Sequence, residues 1–261
     1  EYLGGIRMSV IGTGVLLTLG GLLVLFGVHE QFTPPERKGR LISGMFGQWG
    51  TVLRVPGVPV TYLLRFTAWL GRTMIMPYLP LFIATLTLRD ELSSIYTGFA
   101  IGAASLAGTI SGVVLGRLGD RVGHKRVLVA SALLTAVFYA PMSLVTEVWQ
   151  LVLLNVAVGF AVGGVLPAVS AMLARFTDPS MAGSVYGLDN SVGAASRAAA
   201  PLLAGAVITI GATPDAPDYR ALFVVTAVLF AATAALASWR LPPDQRGATS
   251  EPAPAEARPA S

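Results

Sequence analysis

Three arginines and one aspartate stand inside long apolar runs of this 261-residue chain. An ionised side chain exposed to hydrocarbon costs at least about 2.5–3.5 kcal/mol, so such residues are functional candidates by default. Arg72 lies about 13 residues into the run 59–87, near its middle, and is the first candidate for lining a substrate path. Arg197 is the second. Asn190 precedes it by seven residues, close to two helical turns, and so shares nearly the same face. Gly193 and Ala194 between them leave room for a ligand or a packed helix. Asp189 is the sole carboxylate within these runs and therefore the local candidate for carrying a proton. It follows Asp178-Pro179, a cap and helix start, by about ten residues, which keeps cytoplasmic water within reach. Tyr78 and Asn155 are further path-lining candidates, with Gln150 and Tyr186 behind them; ordinary interhelical hydrogen bonds account for these equally well. Arg65, nearer the end of its run, is expected to snorkel to the interface.

A second group is the stretch GRLGDRVGHKR, residues 116–126, the densest charge in the chain. Gly116, Gly119 and Gly123 permit a sharp reversal and close helix approach. Asp120 is placed to accept backbone N–H groups at a neighbouring helix N-terminus, or to pair with Arg. Arg121, Lys125 and Arg126 face an anionic leaflet, at about 1 kcal/mol of attraction each. His124 is expected as a solvated loop side chain. A basic hairpin by itself is a topology anchor, which accounts for the cations but not for the acid or the glycine spacing.

The elements that must position these residues follow from composition. Hydrophobic residues make up 54% and charged residues 12% of the chain, against about 25% charged in soluble domains; the polar surface needed in water is missing. A net charge of +4 suggests nucleic acid at first sight, but excess Arg and Lys on one side is the mark of cytoplasmic loops, and no nucleic-acid partner is expected. There is no cysteine, hence no disulfide and no thiolate metal site. With no Walker-type loop, zinc-ligand cluster or nucleophile elbow, neither an enzyme nor a resident cofactor or metal is expected.

Seven apolar runs, near 8–28, 59–87, 93–116, 125–146, 148–175, 180–210 and 219–240, are each long enough to span a bilayer. Pro77, Pro80, Pro141, Pro167 and Pro201 inside them are tolerated in a lipid-embedded bundle. With residues 29–58 cytoplasmic and the runs alternating, twelve Lys and Arg fall inside. Only Arg7, Arg89 and Arg220 fall outside, while Arg65, Arg72 and Arg197 lie within spans. In 41–54 the apolar residues share one helical face between Arg40 and Arg54, suiting either an interfacial helix or a linker covering the bundle end. The G-x-x-x-G patterns at 98–102, 112–116 and 159–163 indicate close helix packing. Residues 241–261, rich in Pro, Ala and charge, are expected to be a disordered cytoplasmic tail. The chain opens on Glu1 with no signal-peptide pattern and looks like a cut end.

GRLGDRVGHKR resembles the G-x-x-x-D-R-x-G-R-K-R signature of the major facilitator superfamily. Gly116, Asp120, Arg121, Gly123, Lys125 and Arg126 match, and His124 replaces a usual Arg. YGLDNSVGAASRAAAPLLAG (186–205) is similar to that family's eleventh helix, with Ala200 where Gly is usual. YRALFVVTAVLF (219–230) and MPYLPLFIATL (76–86) resemble its twelfth and seventh helices. The resemblance implies an all-α multi-pass membrane bundle, with 1–28 as the last helix of an N-terminal half, 29–58 as linker and 59–240 as the six-helix C-terminal half. It also implies a fragment whose partners are the lipid bilayer, the missing half, a small-molecule substrate and protons. Drug-efflux proton antiporters of the plasma membrane are the nearest likeness, with 116–126 as a cytoplasmic gating hairpin and transport by alternating access. A metabolite uniporter or symporter of the same fold, or a scaffold protein without transport, fits the same residues.

Overall fold

The computed structural model describes residues 2–27, 49–87, 90–178, 181–211 and 218–241, and these are helical with no strand among them. Two compact units result, Glu1–Leu41 and Ile42–Ser261. The first holds helix α1 (Tyr2–Gly27). Arg7 is its only charge, and a helix apolar on all sides belongs in lipid or in a core. Thr18 Oγ1 returns its proton to the Gly14 carbonyl at 2.8 Å, so even this hydroxyl makes no demand on solvent.

The second unit contains α2 (Val58–Ile75), α3 (Leu79–Leu86), α4 (Asp90–Val122), α5 (His124–Met142), α6 (Val148–Val162), α7 (Val165–Phe176), α8 (Ala182–Gly211) and α9 (Arg220–Arg240). Counting α1, six stretches of the described residues are long and apolar enough to cross a membrane: Val10–Gly27, Leu92–Val122, His124–Met142, Val148–Phe176, Ala182–Ile210 and Arg220–Arg240. The expected span 59–87 is broken at Met76–Tyr78 into α2 and α3. Pro77 and Pro80 have no N–H to give, and the chain is carried across by Tyr78 N–H to Ile75 O at 3.0 Å and Phe82 N–H to Tyr78 O at 2.9 Å. The span expected at 148–175 also breaks, at Gly163-Gly164, three residues before Pro167. By contrast, α8 runs on through Pro201 to Gly211, while α5 ends at Met142, one residue after Pro141.

Helix α9 packs on α5 and α2, α4 on α6, and α2 on α8. Phe230 and Leu128 are fully buried, Phe230 stacking on Tyr139 with ring centroids 5.9 Å apart. Gly71 lets α9 come this close, since a Cβ there would stand 3.2 Å from the Phe230 ring. In lipid such burial gains dispersion and packing rather than transfer from water. Polar stitches complete it: Thr67 and Thr233 hydroxyls meet at 2.8 Å, and Thr226 Oγ1 donates to Gly71 O at 3.3 Å. The outer faces are apolar too. Val137 and Val228 are each 61% exposed, a surface that lipid rather than water must cover.

Of the three G-x-x-x-G patterns, two make close contacts. A Cβ on Gly159 would overlap the Ala104 carbonyl, and one on Gly163 the Ser111 hydroxyl and the Gly108 carbonyl, so α6 lies backbone to backbone on α4. Gly112 faces the Gly163 carbonyl in the same seam, whereas Gly98 and Gly102 meet nothing. The expected loop 116–126 is mostly helix. Nothing from Arg117 to Val122 interrupts the ladder, α4 continues to Val122, and the reversal is confined to Gly123, at φ 105°.

The ends of the bundle differ in charge. Arg54, Arg117, Arg121, Lys125, Arg126, Arg175 and Arg240 gather where α2, α5 and α8 begin and α4, α7 and α9 end; of the Arg and Lys described in this unit, Arg220 alone lies at the opposite end. There it donates to the Ser143 and Val145 carbonyls, at 3.2 Å each, closing the end of α5. Residues 49–53 are helical, with Val52 fully buried and Trp49 resting on the core, so this end of the linker covers the bundle. The rest of the expected interfacial helix, 41–48, and the tail from 242 lie outside the described residues. Leu241, expected in the tail, is buried.

Candidate functional site

The breaks in α2–α3 and α6–α7 border one cavity of about 370 Å³. Arg72 and Ile75 come from the last turn of α2, Met76 and Leu79 from the break and α3. Ser105, Gly108 and Thr109 come from α4, Tyr139 from α5, Asn155 and Gly159 from α6, and Leu166 from α7. The glycine seam makes this possible: with α6 drawn onto α4, the backbone of Gly108, Gly159 and Gly163 forms part of the wall. Arg72 and Asn155, separate candidates in the sequence, are thus brought to one chamber. Among the described residues neither makes a hydrogen bond or ion pair. Among the described residues, no acidic side chain lines the cavity.

Asp189 is not alone, as its sequence neighbourhood suggests, and Arg65 does not snorkel. Arg65 Nη2 donates to Asp189 Oδ2 at 2.8 Å, with the two side chains only 12% and 7% exposed. The pair joins α2 to α8 two turns from their starts, next to a second stitch in which the Tyr62 hydroxyl donates to Val185 O at 2.9 Å. Sequence reasoning missed it because the partners are 124 residues apart. Parity supplies a signal: of three intramembrane cations and one acid, some pair had to form. Trp69, one turn beyond Arg65, carries a guanidinium near its ring twice. Arg65 stands 5.9 Å and Arg197 5.2 Å from the ring centroid.

Arg197 therefore lies against Trp69 and outside the cavity, and Asn190 is exposed on α8. Tyr78 packs on Tyr219, centroids 6.2 Å apart, and Gln150 Oε1 accepts the Thr146 N–H at 3.2 Å; neither lines the chamber, and Tyr186 is exposed. A minute void of about 10 Å³ touches Arg65, Trp69 and Arg72 together, room for about one water. The ion pair and the cavity thus share one face of α2, at positions 65, 69 and 72.

At the hairpin, Asp120 is 72% exposed and faces His124 Nε2 at 3.3 Å. His124 is not a solvated loop residue: it opens α5, is only 12% exposed, and fills the space a side chain on Gly119 would need. Nor is Lys125 free to face lipid headgroups, because its Nζ bonds to the Leu241 carbonyl at the end of α9. Arg121 and Arg126 are exposed, as is the Asp120 carboxylate, which leaves that acid open to a further partner.

A sequence profile described as Major Facilitator Superfamily matches residues 61–261. Among curated proteins, the chain is 31% identical to a multidrug resistance protein MdtG of Erwinia billingiae, over 87% of this chain and 54% of that protein. It is 27% identical to a multi-drug resistance efflux pump PmrA homolog of Lactococcus lactis, over 88% and 56%. A multidrug resistance protein MdtG of Enterobacter lignolyticus is 31% identical over 95% and 57%. The chain spans about half the length of the curated relatives it matches.

Proposed function

This chain belongs to the Major Facilitator Superfamily, and we propose that it forms one half of a plasma-membrane transporter that exports small organic molecules, drugs among them, by alternating access coupled to protons. One observation carries the reading: the cavity lies between two helices that are both interrupted beside it, with a charged and an amide side chain turned into it unpaired. Transport sites are built in this way, from broken helices whose freed backbone and side chains meet near the middle of the membrane.

In this proposal Arg72 and Asn155 bind the substrate. Asp189 takes up and releases the coupling proton, with Arg65 holding it when ionised; because Arg65 stands on the α2 face that carries Arg72, loss of the pair is transmitted along that helix. Asp120 meets a helix N-terminus of the other half in one of the two states, and Gly116, Arg121, Gly123, Lys125 and Arg126 hold the hairpin that presents it. The basic end of the bundle faces the cytoplasm. The names of the curated relatives support efflux over uptake.

The test is dye efflux from cells that lack their own pumps and express this chain with an N-terminal half taken from a relative. Export is expected to stop when the proton gradient is collapsed, to fall at least tenfold in Asp189→Asn, and to fall comparably in Asp120→Ala. Flux indifferent to the gradient and to Asp189→Asn would remove the proton role, and flux untouched by Asp120→Ala would remove the gate.

A further inference from the structure

Three guanidiniums and one carboxylate occupy the membrane interior of the described bundle, and their assignments are unequal. Arg65 is held by Asp189 at 2.8 Å, and Arg197 rests on Trp69. Among the described residues Arg72 has neither kind of partner: no carboxylate lines its chamber, and no aromatic face covers its charge. A guanidinium cannot shed its proton to escape this. It lines the same space as a second unpaired polar group, the Asn155 amide, with the hydroxyl-bearing Ser105, Thr109 and Tyr139 and apolar walls such as Ile75, Leu79 and Leu166. The volume, about 370 Å³, falls in the range of small-molecule sites, roughly 300–1,000 Å³.

We infer that the chamber selects a monoanionic amphiphile, a carboxylate-type head on a flat apolar body, and rejects the cation of the same shape. The inference rests on the transport reading above and names its substrate class. The head supplies the missing counter-charge, bound through the two parallel N–H donors of a guanidinium, and the Asn155 amide donates to a remaining carboxylate lone pair. The apolar body lies along the walls. A like-charged head brought beside Arg72 in a medium of low dielectric is repelled instead.

The experiment uses the full chain in lipid nanodiscs, with equilibrium dialysis of two probes that share a ring system, 2-naphthoate and 2-naphthylmethylammonium, corrected by empty discs. Naphthoate is expected to bind at least tenfold more tightly than the ammonium. Arg72→Gln should weaken naphthoate at least tenfold and leave the ammonium unweakened, Arg72→Lys should keep part of the preference, and Asn155→Ala should weaken naphthoate severalfold. Since Arg72 makes no hydrogen bond or ion pair among the described residues, Arg72→Gln should unfold at the same detergent concentration as the parent. Equal or tighter binding of the ammonium, no naphthoate binding above empty discs, or an unchanged naphthoate affinity in a folded Arg72→Gln chain would overturn the assignment. Gradient-driven dye efflux accompanied by any of these results would leave the transport reading standing and remove the anion preference alone.

Discussion

Removing one member of the Arg65–Asp189 pair should be far more damaging than removing both. The bond is 2.8 Å long and its partners are 12% and 7% exposed, so Asp189→Leu leaves a guanidinium buried with no counter-charge. Breaking a buried pair in this way costs about 3–5 kcal/mol. The Trp69 ring, 5.9 Å from the Arg65 guanidinium, is present in parent and variant alike and so offsets none of this loss. Arg65→Met should cost less, because a stranded carboxylate can be neutralised by a proton and a guanidinium cannot. The double variant should recover to within about 1 kcal/mol of the parent, since apolar residues of similar volume pack well in place of buried ions. Reversible SDS unfolding in mixed micelles, followed by tryptophan fluorescence, measures all four corners of the cycle. A coupling energy below about 1 kcal/mol, or a double variant as unstable as the sum of the singles, would refute the pair as a structural and switching contact.

Other positions give further checks. Gly159→Leu would drive a side chain into the Ala104 carbonyl and should cost about 3 kcal/mol or more, seen as loss of folded chain in detergent, while Gly98→Leu, which meets open space, should be silent. Gly123→Ala should cost about 1–3 kcal/mol in the same unfolding assay, because φ 105° is a backbone region that side-chain-bearing residues rarely adopt. Arg220→Ala removes donors from the Ser143 and Val145 carbonyls and should lower stability by about 1 kcal/mol, detectable as faster amide exchange at 143–146. Asp120→Ala should leave unfolding unchanged, its carboxylate being 72% exposed, so any loss of flux it produces belongs to gating.

The bundle was legible because apolar run length and the position of Arg and Lys both follow from the bilayer as solvent. Arg72 and Asn155 were legible for the same reason: a polar group is conspicuous in an apolar run. The breaks were less so. Pro77 lies in a break, Pro80 in the first turn after it and Pro141 one residue from the end of its helix, while Pro201 interrupts nothing, so proline alone does not place the breaks. Gly163 was read as packing, which it is, and not as marking the end of α6. Hydropathy also has no access to partners distant in the chain, so Asp189 looked solitary and Arg65 peripheral. At the hairpin, counting charges marked a loop, whereas helix continues wherever no residue stops it, and His124 is covered by a turn that begins only at Gly123.

The central claim is that lipid covers the outer faces of this bundle while water and substrate reach the chamber between its broken helices. The chain has no cysteine, so with a cysteine-free complementing half single cysteines report without background. In the complemented transporter, Asn155→Cys should react with a membrane-impermeant maleimide and be protected by 2-naphthoate, while Val137→Cys and Val228→Cys should stay unlabelled in lipid, where a thiol does not ionise. Rapid labelling at 137 or 228, with position 155 inert, would contradict the account.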